Sequence, residues 1–312
     1  MLKEIIRPME PKLHPQIFQS QRYRYQVKWD GVRMLAFINE GKLRLQNRRL
    51  HERTDRYLEL ASLPLLLEGK EAILDGEVVV MQDGKPNFAR VLERDLAAKK
   101  ENIRRLAKRT PVVFIVFDLL YYQGKKLTDL SWEKRQDLLF TEIAPLFKGN
   151  NYFHCTESFS DGPALWEAVK EKEMEGVVAK RIDSPYLPGR KSDYWLKIKV
   201  RRKRSCVVGG YSIKCGIPTA LLLGIYRGEE LLYIGRAGTG LRDQEWRKLA
   251  EFLPLLRQER PAFKNPPRGR QYCWIEPRLV VVVEFMEWTE SFSLRAPVII
   301  GFSKEDPKGC QL

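Results

Sequence analysis

An α+β domain over residues 1–200 followed by a small β-barrel over 205–312 is the architecture that the sequence predicts. Three observations carry it. Dense runs of β-branched and aromatic residues alternate with amphipathic helical spacings through the first two hundred residues. A basic knot, Lys199-Val-Arg-Arg-Lys-Arg204, then interrupts the pattern. Beyond the knot, short apolar runs alternate with Gly and Pro turns, and helical spacing occurs once.

In chain order, Tyr23–Asp30, Met34–Asn39 and Lys42–Gln46 read as strands, the last two joined by a turn at Glu40-Gly41. Thr54–Leu60 has helical spacing, with Thr54 or Asp55 placed to cap it. Ala72–Met81 and Val112–Tyr122 are buried-type strands. Between them Phe88–Arg109 reads as one helix carrying Lys99, Lys100, Arg104, Arg105, Lys108 and Arg109. Ser131–Leu146 and Pro163–Met174 are further amphipathic helices, and Gly176–Arg181 and Tyr194–Val200 return to strand. After the knot come strands over Cys206–Ile213, Ala220–Tyr226, Leu231–Gly235 and Leu279–Trp288, with a helix over Asp243–Phe252. That set suits a small barrel such as an OB-fold.

Composition narrows the function classes. Hydrophobic residues make up 44% and charged residues 30%, enough to bury a core, so global disorder is excluded. No apolar run approaches the roughly 20 residues of a membrane span, and the N-terminus lacks the apolar stretch of a signal peptide. An intracellular, cytoplasmic and nucleoid-associated protein is expected. The five cysteines form no CxxC pair, which argues against a zinc cage or a disulfide framework. The 55 Lys and Arg exceed the 40 Asp and Glu by 15, and such an excess implies a polyanionic partner, nucleic acid ahead of a membrane surface.

Lys28-Trp-Asp-Gly-Val-Arg33 ends a strand and enters a turn. A lysine there becomes a nucleophile when its amine is neutral, and burial or neighbouring positive charge favours that form. Arg33, Lys197 and Lys199 are the candidate neighbours. The two lysines stand at i and i+2 of a strand and so share a face, where a row of cations suits an oligophosphate; a solvated strand edge has the same pattern. Asp75-Gly-Glu77 and Glu175-Gly-Val-Val-Ala-Lys180 each open an apolar strand with an acid beside a glycine. Hard oxygen ligands beside a phosphate-binding face are what Mg²⁺ requires, although each acid alone reads equally as a turn residue. Phe117 has the character of a purine-stacking ring or of plain core, and Arg48 that of a phosphate or ribose ligand or of a surface arginine.

Taken in order, these segments resemble the motifs of the covalent nucleotidyltransferases, most closely those of the ATP-dependent DNA ligases. Lys28–Arg33 matches the KxDGxR nucleophile motif, and Arg48, with the following Glu52-Arg-Thr-Asp-Arg-Tyr57, the next. Asp75-Gly-Glu77, Phe117-Asp-Leu-Leu120, Glu175–Lys180 and Trp195-Leu-Lys-Ile-Lys199 match those that follow. Ser184-Pro-Tyr-Leu-Pro-Gly-Arg190, Leu223-Gly-Ile-Tyr226, Gly235-Arg-Ala-Gly-Thr-Gly240, Val280–Trp288 and Leu294-Arg-Ala-Pro297 look like the ligase module of bacterial ligase D. Gln26 stands where that subgroup often carries Glu. The sequence shows no polymerase or nuclease module, and the last motif is reduced to Lys304-Glu-Asp306 with Lys308.

The resemblance implies an adenylyltransferase domain over 1–200, an OB-fold domain over 205–312, and sealing of nicked or broken double-stranded DNA by a monomer through a lysyl-AMP. Lys28 is then the nucleophile. Gln26 and the Val27 backbone meet the adenine edge, and Phe117 stacks on the ring. Arg33, Arg48 and Glu77 hold ribose and phosphate, and Lys197 and Lys199 hold the α-phosphate. Glu175, with Glu77 or Asp30, holds Mg²⁺ or Mn²⁺. Lys180 joins the set, and Arg295, Lys304 and Lys308 orient the departing pyrophosphate. ATP is the implied cofactor, and a Ku-type end binder and a separate repair polymerase are the implied partners. An RNA ligase and a capping guanylyltransferase share the fold class. A non-catalytic OB-fold binder predicts salt-sensitive DNA binding with no adduct.

Overall fold

The computed structural model describes residues 2–214, 216–269, 272–286, 288–289 and 292–312. Cys215, and Glu287 in the expected strand Leu279–Trp288, lie outside them. The chain divides into two compact units, Met1–Val200 and Arg201–Leu312.

The first unit holds two large sheets and a two-stranded ribbon of Met81–Gln82 with Lys85–Pro86. One contains β1 (Glu10–Leu13) and β2 (Tyr23–Lys28), and the other contains β3 (Val32–Asn39), β4 (Lys42–Asn47), β5 (Ala72–Val79), β6 (Val113–Tyr122) and β7 (Phe153–Cys155). β8 (Gly176–Arg181) and β9 (Lys191–Lys199) return to the first sheet, which runs β1-β9-β8-β2, while the second runs β7-β6-β5-β3-β4. Alternation along β3 and β5 decides which side chains face which layer. Met34, Ala36, Ile38, Leu74 and Val78 enter a core on the outer side of the second sheet. Leu35, Phe37 and Ile73 face the other way and pack with Met9, Trp132, Tyr186 and Trp195. The outer face of the first sheet is covered by the helix Gly162–Glu171, through Leu165 and Val169 against Tyr25, Val177 and Ile198. That helix starts where Asp161 accepts the Ala164 N–H at 2.8 Å.

Two helical expectations change. Phe88–Arg109 is two helices, α1 (Phe88–Leu96) and α2 (Lys100–Arg109), because Ala97 turns extended at φ −61°, ψ 124°. The break lets Ile103 and Leu106 fold back onto Ala97, and the Ala97 carbonyl accepts from Arg56. Thr54–Leu60 forms two short 3₁₀ turns, Thr54–Arg56 and Leu58–Ser62, with no side-chain cap at the first. The Thr54 hydroxyl is engaged elsewhere, accepting from Leu45 N and donating to Glu52. The helix α3 (Trp132–Leu138) begins at Ser131, runs on into a π-helical turn at Leu139–Ile143, and is pinned by a buried bidentate pair: Arg135 donates to Asp118 at 2.7 and 2.9 Å.

The second unit is an antiparallel sheet of β10 (Arg202–Lys214), β11 (Ile217–Arg227), β12 (Glu230–Ala237), β13 (Tyr272–Phe285) and β14 (Val298–Ser303), ordered β12-β11-β10-β13-β14, with the helix Asp243–Phe252 beside it. The basic residues Arg202–Arg204 belong to β10 and pair with Val283–Phe285, so the strand begins before residue 205. β13 starts seven residues before the expected Leu279, and β14 had no expectation at all.

Candidate active site

A partly open cavity of the first unit lies between the sheets that hold β2 and β3. It takes Gln26, Val27 and Lys28 from β2, Val178 and Lys180 from β8, Trp195 from β9 and Pro11 from β1. Arg33, Glu77 and Phe117 come from β3, β5 and β6, and Trp29 from the turn. Register explains the first group. Three cross-strand rows lie on one face: Lys28–Gly176–Lys199, Gln26–Val178–Lys197 and Arg24–Lys180–Trp195. Gly176 has φ +154°, and a Cβ there would come within 2.1 Å of the Ile198 carbonyl oxygen. Only glycine lets β8 pass between the two lysine-bearing strands at that row.

Glu175, 3% exposed, sits between the outer members of this row. Its two oxygens accept from Lys28 Nζ at 2.5 Å and from Lys199 Nζ at 2.9 Å. Burial pulls the Lys28 amine down, but Glu175, Glu77 and Asp30 outweigh it, and the net direction is upward. That reverses the direction expected from Arg33, Lys197 and Lys199, because Glu175 bonds the amine directly and Glu77 and Asp30 add to its pull. Glu77 is pushed up to about 8, first by burial, with Lys28 and Arg33 opposing. Its carboxyl makes no hydrogen bond among the described residues.

On the second sheet, Arg33 donates twice to Asp75, at 2.6 Å each, and its guanidinium lies 4.6 Å from the Phe117 ring centre. Tyr186 donates to Asp75 at 2.7 Å and so completes the support of the arginine. Lys180, 2% exposed, places its ammonium 4.4 Å from the Phe117 ring centre and 4.2 Å from that of Trp195, and donates to the Phe117 carbonyl. Burial drops its amine to about 7. An apolar slot flanked by cations, with a nucleophile-type lysine at one end, has the chemistry of a nucleotide pocket.

The structure therefore brings together Gln26, Val27, Lys28, Arg33, Glu77, Phe117, Glu175, Lys180 and Lys199, with Lys197 in the adjoining row and Asp30 near enough to act on Lys28. Arg48 is exposed in the turn after β4 and does not line the cavity. Arg295 and Lys304 are exposed on the second unit, where Lys308 pairs with Glu229 and covers the Tyr226 ring. Among the described residues, no three His, Cys, Asp or Glu side chains gather as a metal cage. Sequence reasoning passed over Pro11, Trp29 and Gln136; only the apolar character of the first two hinted at a cavity wall.

Residues 3–199 match the family described as ATP dependent DNA ligase domain, and residues 214–306 the ATP dependent DNA ligase C terminal region. The chain belongs to the ATP-dependent DNA ligase family. The multifunctional non-homologous end joining protein LigD of Mycolicibacterium smegmatis is 32% identical over 289 residues, covering 90% of this chain and 36% of that protein. LigD of Pseudomonas aeruginosa is 29% identical over 309 residues, covering 95% and 36%. The chain thus spans about a third of the length of these relatives. The ligase domain of Mycobacterium tuberculosis LigD superposes with a TM-score of 0.56 at 28% identity, covering 98% of this chain and 97% of that one. A mycobacterial DNA ligase D complexed with ATP and MES gives 0.55 at 28% identity, covering 97% of each. As in these ligases, a nucleotidyltransferase domain precedes an OB-fold domain, here a half-barrel.

Proposed function

We propose that this chain seals 5′-phosphate, 3′-hydroxyl breaks in double-stranded DNA with ATP, through a lysyl-AMP on Lys28. The observation that carries the reading is the Lys28–Glu175–Lys199 row at the end of a cavity walled by Phe117 and Trp195, in a chain of the ligase family. The Lys28 amine sheds a proton, and its lone pair attacks the α-phosphorus of ATP. The α–β bridging P–O bond breaks and pyrophosphate leaves. The adenylyl group then passes to the 5′-phosphate of the break. Attack by the 3′-hydroxyl on that activated phosphate expels AMP. Each step is chiefly a matter of placement and charge neutralisation.

In this reading Gln26 and Val27 meet the adenine edge, Phe117 stacks on the ring, and Arg33 and Glu77 serve the ribose and phosphates. Lys197 and Lys199 neutralise the α-phosphate once Glu175 turns from Lys199. Arg48 serves this site only from its turn after β4. Arg295, Lys304 and Lys308 keep the role of orienting pyrophosphate. Glu77 and Glu175, with Asp30 through water, suit Mg²⁺ or Mn²⁺, because the half-buried Glu77 carboxyl, raised by desolvation, regains its charge beside a cation. When bound, such an ion supplies Lewis-acid neutralisation of phosphate charge. The exposed cations of α2 are natural contacts for the DNA backbone. In this reading the chain acts in non-homologous end joining, for which the relatives are named, with a Ku-type end binder and a separate repair polymerase as its expected partners.

The test is a denaturing gel with labelled ATP. The wild type is expected to carry a covalent adenylate. Lys28→Ala carries none, yet closes a pre-adenylylated nick, since that step needs no lysyl adduct. Adduct on the alanine variant refutes the assignment of Lys28. Sealing of RNA but not DNA nicks, or labelling by GTP in preference to ATP, shifts the reading to an RNA ligase or a guanylyltransferase.

A further inference from the structure

Gln26 precedes Lys28 by two residues on the same strand face, lines the cavity and is 1% exposed. Its amide nitrogen donates to Gln136 Oε1 at 3.2 Å, and Gln136 Nε2 in turn donates to the Phe117 carbonyl at 3.1 Å. A backbone carbonyl only accepts. Gln136 must therefore aim its amino group at Phe117 and its oxygen at Gln26, and Gln26 must answer with its own amino group. The relay leaves one atom over. Gln26 Oε1 is buried with no hydrogen-bond partner among the described residues. The second lone pair of the Phe117 carbonyl is taken by Lys180 Nζ at 3.1 Å, so the anchor is held from two sides.

Gln136 itself does not line the cavity. It stands on α3, 6% exposed, beside Arg135, whose pair with Asp118 holds the helix against β6. We propose that Gln136 is a positioning residue for base selection. By locking the Gln26 amide, it presents an acceptor and withholds a donor, so the pocket takes a purine with an exocyclic amino group at that edge and rejects one with an oxo group there. Adenine has the amino group and guanine the oxo group. The inference rests on the nucleotidyl-transfer reading above and deepens it. A carboxylate at position 26 accepts through both oxygens and needs no orienting partner. A glutamine in that place selects adenine only while something stops its amide from rotating, and the Gln136–Phe117 relay is that restraint.

The test measures protein–nucleotide adduct formed from labelled ATP and from labelled GTP by the full chain, and reads the ratio of the two rates. The wild type strongly favours ATP. In Gln136→Met the Gln26 amide turns freely, and the ratio falls at least about tenfold, chiefly because GTP labelling rises. Gln136→Glu can no longer donate to the Phe117 carbonyl, but as an acceptor-only partner it still holds the Gln26 amino group and keeps the wild-type ratio. Adding Gln26→Glu to Gln136→Met restores the ratio, because the carboxylate has no wrong orientation. A purely structural role for Gln136 lowers both rates together, and an unchanged ratio in Gln136→Met with the adduct still forming overturns the inference. Gln136→Ala, in which water replaces the side chain, gives the same reading should the methionine variant not fold. A wild type that forms no adduct with either nucleotide overturns the nucleotidyl-transfer reading itself, an outcome distinct from a variant with unchanged selectivity.

Discussion

Replacing Lys180 by methionine removes a buried cation while keeping most of its volume, and the effect on stability has a definite pH dependence. Burial drops the Lys180 amine from 10.5 to about 7, with Arg33 and Arg135 adding to the fall and Asp118 and Asp75 opposing it. In the unfolded chain the amine keeps its proton up to its ordinary value. Between the two pH values the unfolded state binds the extra proton, so stability rises with pH across that window. At about 1.4 kcal/mol for each unit, the gap of roughly 3.5 units amounts to about 5 kcal/mol that the wild type lacks below pH 7 and regains towards pH 10.5. Between pH 7 and pH 9 the wild type gains about 2 kcal/mol relative to Lys180→Met, whose position 180 has nothing to titrate. Loss of the lysine side chain's packing against the two rings adds an offset independent of pH. Urea unfolding of both proteins at pH 7, 8 and 9, followed by tryptophan fluorescence, measures the difference. Parallel stability profiles would refute the reasoning, since they mean that Lys180 stays charged in the folded protein.

Gly176→Ala puts a methyl group against the Ile198 carbonyl at a φ of +154° and is expected to destabilise the first unit by about 3 kcal/mol in urea unfolding. Changing Lys100, Arg104, Arg105 and Lys108 together to Gln weakens DNA binding and lowers the salt slope, by about 0.9 for each DNA phosphate no longer neutralised, with adenylylation from ATP intact; fluorescence anisotropy across a salt series checks this. Arg295→Ala combined with Lys304→Ala slows single-turnover adenylylation by roughly tenfold or more, because misplacing a leaving group costs about that much. The same variant seals a pre-adenylylated nick at close to the wild-type rate.

Much of the site was legible because strand periodicity already decides which side chains share a face. Lys197 and Lys199 are two residues apart and so share a face, whereas Gln26 came from the resemblance of its motif, and its row with Lys197 depends on β8 running between β2 and β9. What stayed hidden depends on distances between segments remote in sequence. The direction of the Lys28 shift turned on whether Glu175 or the cations came nearer to it, which no spacing records. Gln136 gave no signal, because a glutamine on an amphipathic helix reads as surface until the bond to Gln26 is seen. Arg48 matched its motif, yet the chain turns just after Asn47 and leaves it in solvent. The split of the long helix at Ala97 carries no Pro or Gly, so packing of Ile103 and Leu106 decided it rather than local propensity.

The Glu175 carboxylate, lying across Lys28 and Lys199, makes the site self-compensated. Two ammonium groups on strands flanking β8 already share a counter-ion supplied by the protein, one oxygen to each. An incoming anion competes with a tethered rival at very high local concentration and gains little from a single new ion pair. Free orthophosphate, or a stray backbone phosphate of the DNA, offers only that. A nucleoside triphosphate brings a stacked base and several phosphates at once, and can drive the exchange. In the proposed reading the same carboxylate thus acts as a threshold, holding the Lys28 amine in reserve until a ligand with enough points of attachment arrives.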